Sequence, residues 1–114
     1  MHAEPVDRAT LDELAASLGQ GFVAELAGTF LAEAPALLGA LRRALADGDA
    51  ESFRRAAHTL KSNAHTFGAA GLGARAKVLE QGGLAHARAT AGALDDLERE
   101  YERVARALAE LGHG

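Results

Sequence analysis

Histidine supplies the side chains of this chain that are best suited to group-transfer chemistry, because cysteine is absent. Without cysteine the chain has no thiol nucleophile, no disulfide and no cysteine-ligated zinc site. Of the five histidines, His2 and His113 lie near the chain ends and His86 falls in a predicted connector. His58 and His65 share one predicted helix, and we expect histidine chemistry there.

Cations surround His58 at helical spacing. Lys61 follows it at i+3, and Arg54 and Arg55 precede it at i−4 and i−3, so all three lie on or beside its face of the helix. This setting is poor for an imidazole that must gain a proton, but it suits a nitrogen that will carry negative charge. Lys61 could stabilise a phosphoryl group on that nitrogen. By spacing alone, however, an ordinary solvated histidine explains the pattern better.

The second histidine of this helix is not placed to share a metal ion with the first. His65 follows His58 at i+7, so the two face similarly but lie about 10 Å apart along the axis. Histidine ligands sit about 2 Å from a metal. We therefore predict no metal site, and we interpret His65 as a docking-surface residue rather than a second phosphoacceptor.

The basic residues are concentrated in one segment of an acidic chain. The formal net charge is −4, yet residues 52–81 carry five basic residues and one acid, a net charge of +4. Such a segment indicates a site for an anion or an acidic partner, whereas the negative total argues against nucleic-acid binding. The basic residues are Arg54, Arg55, Lys61, Arg75 and Lys77, and the acid is Glu80.

Composition and periodicity predict the elements that position these side chains. Hydrophobic residues, mostly Ala and Leu, make up 48% of the chain and aromatic residues only 4%, which favours helices over strands. We expect one domain with a core at about residues 9–111, folded as an all-α antiparallel four-helix bundle with a short additional N-terminal helix. The predicted helices span about residues 11–18, 21–47, 50–67, 69–81 and 91–111.

Several local signals set the expected helix boundaries. Thr10 and Glu13 form a capping box for the first helix, and Pro35 predicts a kink in the second, or two helices that abut near Glu33. Gly48 and Asp49 predict the end of the second helix and the N-cap of the third. Residues 82–83 predict the end of the fourth, with a connector over 84–90 and frayed ends at 1–6 and 112–114.

Location is predicted from what the chain lacks. No uninterrupted apolar run reaches the roughly 18 residues that would span a bilayer. The first residues also do not resemble a signal peptide, which would begin basic and continue apolar. We expect a cytoplasmic protein that does not engage a membrane.

The third helix carries a family resemblance. Residues 57–69 read AHTLKSNAHTFGA and resemble the signature of histidine-containing phosphotransfer (HPt) domains, roughly H-x-L-K-G-S-x-x-x-[apolar]-G. The resemblance extends over residues 9–111, with weaker similarity at 30–38, 78–80 and 101–108. It reverses the interpretation of His58 as an ordinary surface residue. Two positions depart from the pattern: Ser62 replaces the usual Gly, and Asn63 the usual Ser.

The resemblance implies a role for each matching residue. His58 would accept a phosphoryl group through Nε2, Lys61 would stabilise that group, and Glu80 would orient the imidazole. Gly68 would allow close helix packing beyond the site. The docking surface for partners would include Arg54, Arg55, Ser62, His65 and Gly68.

The resemblance also implies a partner and a place in a signalling chain. A monomeric, stoichiometric phosphoryl carrier in a two-component phosphorelay would take the group from the phospho-aspartate of a receiver domain, in a response regulator or hybrid histidine kinase. It would then pass the group to another receiver. The carrier would need no cofactor, since the receiver would bring Mg²⁺. Two alternatives stay open: a receiver-binding adaptor without phosphotransfer, and the phosphotransfer domain of a chemotaxis-type histidine kinase.

Overall fold

Five helices account for nearly all of residues 4–111. The computed structural model describes residues 4–111, and no strand occurs in that range. α2, α3, α4 and α5 pack in a ring in which each helix contacts two neighbours, while α1 packs against α2. The short connections make successive helices antiparallel, so the predicted four-helix bundle with an extra N-terminal helix is confirmed. The helices are α1 (Arg8–Leu18), α2 (Gln20–Asp47), α3 (Ala50–Thr66), α4 (Ala70–Ala89) and α5 (Ala93–Leu111).

The core is built from the apolar stripes of the four long helices. On α3 the stripe recurs at steps of four and three and is buried throughout, which fixes the rotation of the helix about its axis. Phe30 of α2 packs against Phe67 and Tyr101, with ring centroids 5.5 and 5.9 Å apart. Core residues with no exposed surface include Leu41, Phe53, Leu60, Leu72, Leu97 and Val104.

The start of α1 differs from the sequence prediction. The predicted capping box at Thr10 is wrong: Asp7 is the N-cap, and its carboxylate accepts from the Ala9 amide and the Thr10 hydroxyl. Val6 is buried and the Asp7 amide donates to the carbonyl of Gly68 at 3.0 Å, so the fraying expected through residue 6 does not extend to Val6. Of the ends predicted to be frayed, at 1–6 and 112–114, residues 1–3 and 112–114 lie outside the described residues.

α2 runs through Pro35 as one helix, so the alternative of two abutting helices is wrong, while the kink stays a prediction. The predicted end is confirmed, since Gly48 adopts a left-handed conformation and Asp49 caps α3 through the Ser52 amide. Within residues 4–111, α2 is the one helix long and apolar enough to cross a membrane, which the count of uninterrupted apolar residues did not reveal. Core helices of soluble proteins pass the same test of length and composition, and α2 buries Phe30 and Leu41 in the bundle.

α4 is broken at Gly83, as the glycine pair predicted, but the chain does not leave the helix there for long. Gly83 has φ 63° and ψ −155°, a combination that is essentially restricted to glycine. The following residues, predicted to be a connector, form a further helical segment that ends at Ala89. Buried Ala87 and half-buried Leu84 pack this segment against the core. The prediction of a connector is therefore wrong, because tertiary packing stabilises a helix whose sequence pattern alone indicates none.

Candidate functional site

α3 presents His58 at the surface because its neighbours in sequence face inward. Ala57 and Leu60 have no exposed surface, which turns the intervening His58 outward at the edge of the bundle. Its side chain is 54% exposed. α4 packs antiparallel to α3 and brings Glu80 alongside, 22 residues away in sequence.

Three charged or polar side chains meet at this point of the α3–α4 pair. His58 Nδ1 lies 2.7 Å from Glu80 Oε2, and Lys61 Nζ lies 2.6 Å from Glu80 Oε1. The Glu80 side chain is only 15% exposed and that of Lys61 23%. The approach of Nζ to the buried Oε1 falls outside hydrogen-bond angles, so this contact is chiefly an ion pair. One carboxylate thus joins the two residues that the sequence singled out.

The geometry determines which imidazole nitrogen is available for reaction. The contact with Lys61, followed by the hydrogen bond with His58, lowers the pKa of Glu80, which keeps its carboxylate ionised at neutral pH. An ionised carboxylate can only accept hydrogen bonds, so His58 Nδ1 must carry the proton that it donates to Oε2. In the neutral ring the lone pair then resides on Nε2, the nitrogen that Glu80 does not engage.

The cations around His58 are more neutralised than the sequence suggested. Arg54 and Arg55 both pair with Glu51, at 2.6 and 3.6 Å, and Glu51 lies one residue before the segment counted as basic. Lys61 pairs with Glu80, while Arg75 lies on another side of α4, in a groove that includes Asp96. The net positive charge beside His58 is therefore smaller than the +4 of the linear segment.

Small residues lie between His58 and His65 on the exposed face. Ser62 is exposed and Asn63 half-buried. The ring of His65 lies over Gly73 of α4, where an added Cβ would come within 2.6 Å of His65 Cδ2. Gly73 was not recognised from the sequence as part of this surface, and its signal was the missing side chain in a helix that packs closely on α3.

Gly68 lies apart from this face. It follows α3 with φ 66°, and a Cβ there would come within 2.9 Å of side-chain atoms of Asp7 and Thr10. From His58 to its end at Thr66, α3 extends for about 12 Å, and Gly68 lies beyond that end. The expectation of close helix packing at Gly68 fits this contact with α1, whereas the structure does not bring Gly68 to the docking surface predicted around His58.

Of the remaining histidines, His86 is the one that the structure describes, and it is not part of the cluster. His86 lies in the helical segment after Gly83 and lines the groove that holds Arg75, and His2 and His113 lie outside the described residues. Within residues 4–111 no group of three or more His, Asp or Glu side chains is arranged to hold a metal ion.

Comparisons with known proteins point in one direction. The family model described as "Hpt domain" matches residues 25–112. The crystal structure of histidine-containing phosphotransfer protein B (HptB) from Pseudomonas aeruginosa PAO1 superposes with a TM-score of 0.85 at 25% sequence identity, and the match covers 99% of each chain. A search of curated proteins gave no match.

Proposed function

Because the chain belongs to the Hpt family, and is thus a histidine phosphotransfer protein of a phosphorelay, we propose that His58 is its phosphoacceptor. The observation that supports this most strongly is the hydrogen bond from His58 Nδ1 to Glu80, which leaves an exposed imidazole with its lone pair on Nε2. His65 lacks such a carboxylate partner among the described residues.

The transfer can be written with all bonds accounted for. Nε2 of His58 attacks the phosphorus of an aspartyl phosphate on a receiver domain. The new P–N bond forms as the P–O bond to the aspartate breaks, and the aspartate leaves as a carboxylate. The proton on Nδ1 stays in its hydrogen bond to Glu80, whose negative charge stabilises the positive charge that develops on the ring. The reverse sequence on a second receiver regenerates His58.

Lys61 acts on the phosphoryl group rather than on the ring. Its ammonium lies one helical turn from His58 and contacts Glu80 at 2.6 Å, so the same carboxylate holds it close to the imidazole. A phosphoryl oxygen offers a second anionic partner, and a charge-assisted contact to it would lower the energy of the transferring group. Mg²⁺ would be supplied by the receiver.

The docking surface is the exposed α3–α4 face around His58. Ser62 and His65 contribute to it. Because Gly73 has no side chain, the His65 ring lies close to the backbone of α4, and the backbone of a receiver can approach this surface closely. Arg54 and Arg55 stand at one end with exposed side chains and would face the acidic pocket of the receiver. In this proposal the protein is a monomeric carrier rather than an enzyme, and it works in the cytoplasm.

The test is transfer from a phosphorylated receiver followed by measurement of acid-labile label on the protein. We expect His58→Gln to abolish labelling and His65→Gln to leave it intact. Label on His58→Gln would refute the assignment. Lys61→Ala should slow transfer, and an unchanged rate would remove Lys61 from the mechanism.

The same experiment separates the alternatives. Receivers that bind His58→Ala and the natural protein equally well, with no phosphohistidine formed, would favour an adaptor. Label that comes only from an ATP-binding kinase domain, and never from a receiver, would favour a chemotaxis-type kinase domain.

A further inference from the structure

A second candidate binding surface lies at the end of the bundle formed by α1, the start of α2 and the end of α5. A groove of about 560 Å³ runs between these helices, which is within the range of roughly 300–1,000 Å³ typical of binding pockets. Its apolar lining includes Val6, Leu11, Ala15 and Val23. This groove is separate from the α3–α4 face, because no residue of α3 or α4 lines it.

Two exposed apolar side chains lie next to lining residues of the groove along α1 and α2. Leu18 and Phe22 are 48% and 47% exposed, at the corner where α1 passes into α2. Leu18 lies at i+3 from Ala15, on the same side of α1 as the groove. Exposed large apolar side chains beside a groove are typical of an interaction site. An occupant that covers both features must be longer than a small molecule.

The charges of the groove indicate the chemistry of that occupant. Glu4, Asp12 and Glu110 line it together with one basic residue, Arg8. None of the three carboxylates has an ion pair within residues 4–111. The surface around the apolar floor is therefore negative, which favours a positively charged partner.

Most of the groove belongs to the part of the chain that the family model does not cover. Ten of the twelve residues that line it precede residue 25, where the match to the Hpt model begins. Phe30 of α2 packs against Phe67 at the end of α3, so these two residues lie at the same height along the bundle axis. Because α2 and α3 are antiparallel, Val23 and His58 lie on opposite sides of that height. Their separation along the bundle is about 20 Å or more, so one partner could occupy the groove while another contacts His58.

We propose that this groove binds a basic amphipathic helix of a partner protein, with apolar side chains on the floor and Lys or Arg at the edge. Such helix-in-groove binding uses apolar anchors at helical spacing, and half-buried Ala15 and exposed Leu18, one turn apart on α1, offer matching positions. The interaction holds the phosphotransfer protein on its partner and leaves the α3–α4 face open for exchange of phosphoryl groups.

The test uses the full chain, labelled with ¹⁵N, and two synthetic amphipathic helical peptides. Both carry leucine on one face, and they differ in having lysine or glutamate on the other. We expect the lysine peptide to shift the amide signals of groove residues and to leave those around His58 unchanged. Equal binding of the glutamate peptide, or shifts confined to other surfaces, would overturn the proposal.

Matched variants test the role of the groove charges. Asp12→Asn/Glu110→Gln should weaken binding of the lysine peptide about tenfold, whereas Glu33→Gln/Asp47→Asn, with the same change in net charge elsewhere, should not. Equal effects of the two pairs would overturn the proposal, as would concentration-dependent shifts of groove residues without peptide, which would assign the groove to a second copy of the chain. Phosphoryl uptake by His58 should persist at saturating peptide, and this readout separates the groove from the phosphotransfer site.

Discussion

Glu80 is the residue on which the arrangement of the candidate site depends. One oxygen holds the Nδ1 proton of His58 and the other contacts Lys61, so a single side chain fixes the ring tautomer and restrains the neighbouring cation. A carboxylate does this better than a neutral amide, since its hydrogen bond to an imidazole is charge-assisted and strengthens as the ring becomes positive.

Replacing that carboxylate by an amide tests this role. Glu80→Gln keeps the size of the side chain but removes the charge that stabilises the ring during attack. We expect phosphoryl uptake from a receiver to slow about tenfold, the equivalent of roughly 1.4 kcal/mol in the barrier, while receiver binding changes little. Stopped-flow transfer kinetics would measure the rate, with Glu102→Gln on the exposed surface of α5 as the control. Equal rates for Glu80→Gln and the natural protein would contradict the role.

The same carboxylate predicts a pH dependence of stability. The folded protein lowers the pKa of Glu80, first through Lys61 and then through His58. A group whose pKa is lower when folded stabilises the fold above its unfolded pKa, here near 4.5, and loses that effect as pH falls through the folded pKa. The natural protein should thus exceed Glu80→Gln in unfolding free energy near pH 6, with the gap closing in acid. Urea unfolding at a series of pH values would measure it, and a constant gap would count against the prediction.

Much of this cluster was predictable from the sequence, and the reason is local. His58 and Lys61 share a face through helical spacing alone, whereas the contact of Glu80 needs the register of α3 against α4. The family resemblance implied a role for Glu80 but gave no distance between its carboxylate and His58. Gly73 shows the limit of prediction from the sequence. His65 of α3 lies against Gly73 of α4, and no periodicity within one helix reveals a contact between two helices.

At the scale of elements, the apolar period predicted which helices exist, and tertiary contacts decided where they begin and end. The Thr10–Glu13 pattern was a plausible cap, but Asp7 supplies the carboxylate one turn earlier and is held there by the turn after α3. The segment after Gly83 has little helical signal of its own and is stabilised by packing. Short-range sequence rules cannot include either effect.

Gly83 offers a test of the break in α4. An added Cβ would meet no atom within 4 Å, so any cost of Gly83→Ala comes from the backbone, whose φ of 63° and ψ of −155° exclude other residues. We expect a loss of about 1–3 kcal/mol in unfolding free energy. Gly28→Ala is the matched control, since its site is also open but lies within α2, where Ala should add about 0.5–1 kcal/mol. Chemical denaturation would measure both, and a neutral Gly83→Ala would show that the segment relaxes.

At the scale of the whole molecule, charge is distributed less simply than its linear order indicated. The sequence predicted a basic segment in an acidic chain, and folding adds Glu51 and Glu80 to its cations as direct partners. The pairs of Glu51 lie within α3 at i,i+3 and i,i+4 and follow from helical spacing, whereas the pair of Lys61 with Glu80 depends on the packing of α4 against α3. The electrostatic field that acts on an approaching receiver is therefore determined by a few exposed charged groups near His58 rather than by the net charge of residues 52–81.

Arg54 and Arg55 allow that field to be tested. Arg54→Gln/Arg55→Gln leaves Glu51 without its partners, so the end of the docking surface becomes negative. Association with an acidic receiver should slow several-fold at low ionic strength, since steering of this kind depends on local charge, and the difference should shrink at about 0.5 M salt, where the Debye length is only a few ångströms. Adding Glu51→Gln to the pair should restore part of the rate by removing the unpaired carboxylate. Arg43→Gln/Arg106→Gln, with the same change in net charge outside the basic segment, is the control in stopped-flow binding measurements, and an equal slowing by both pairs would show that total charge governs association.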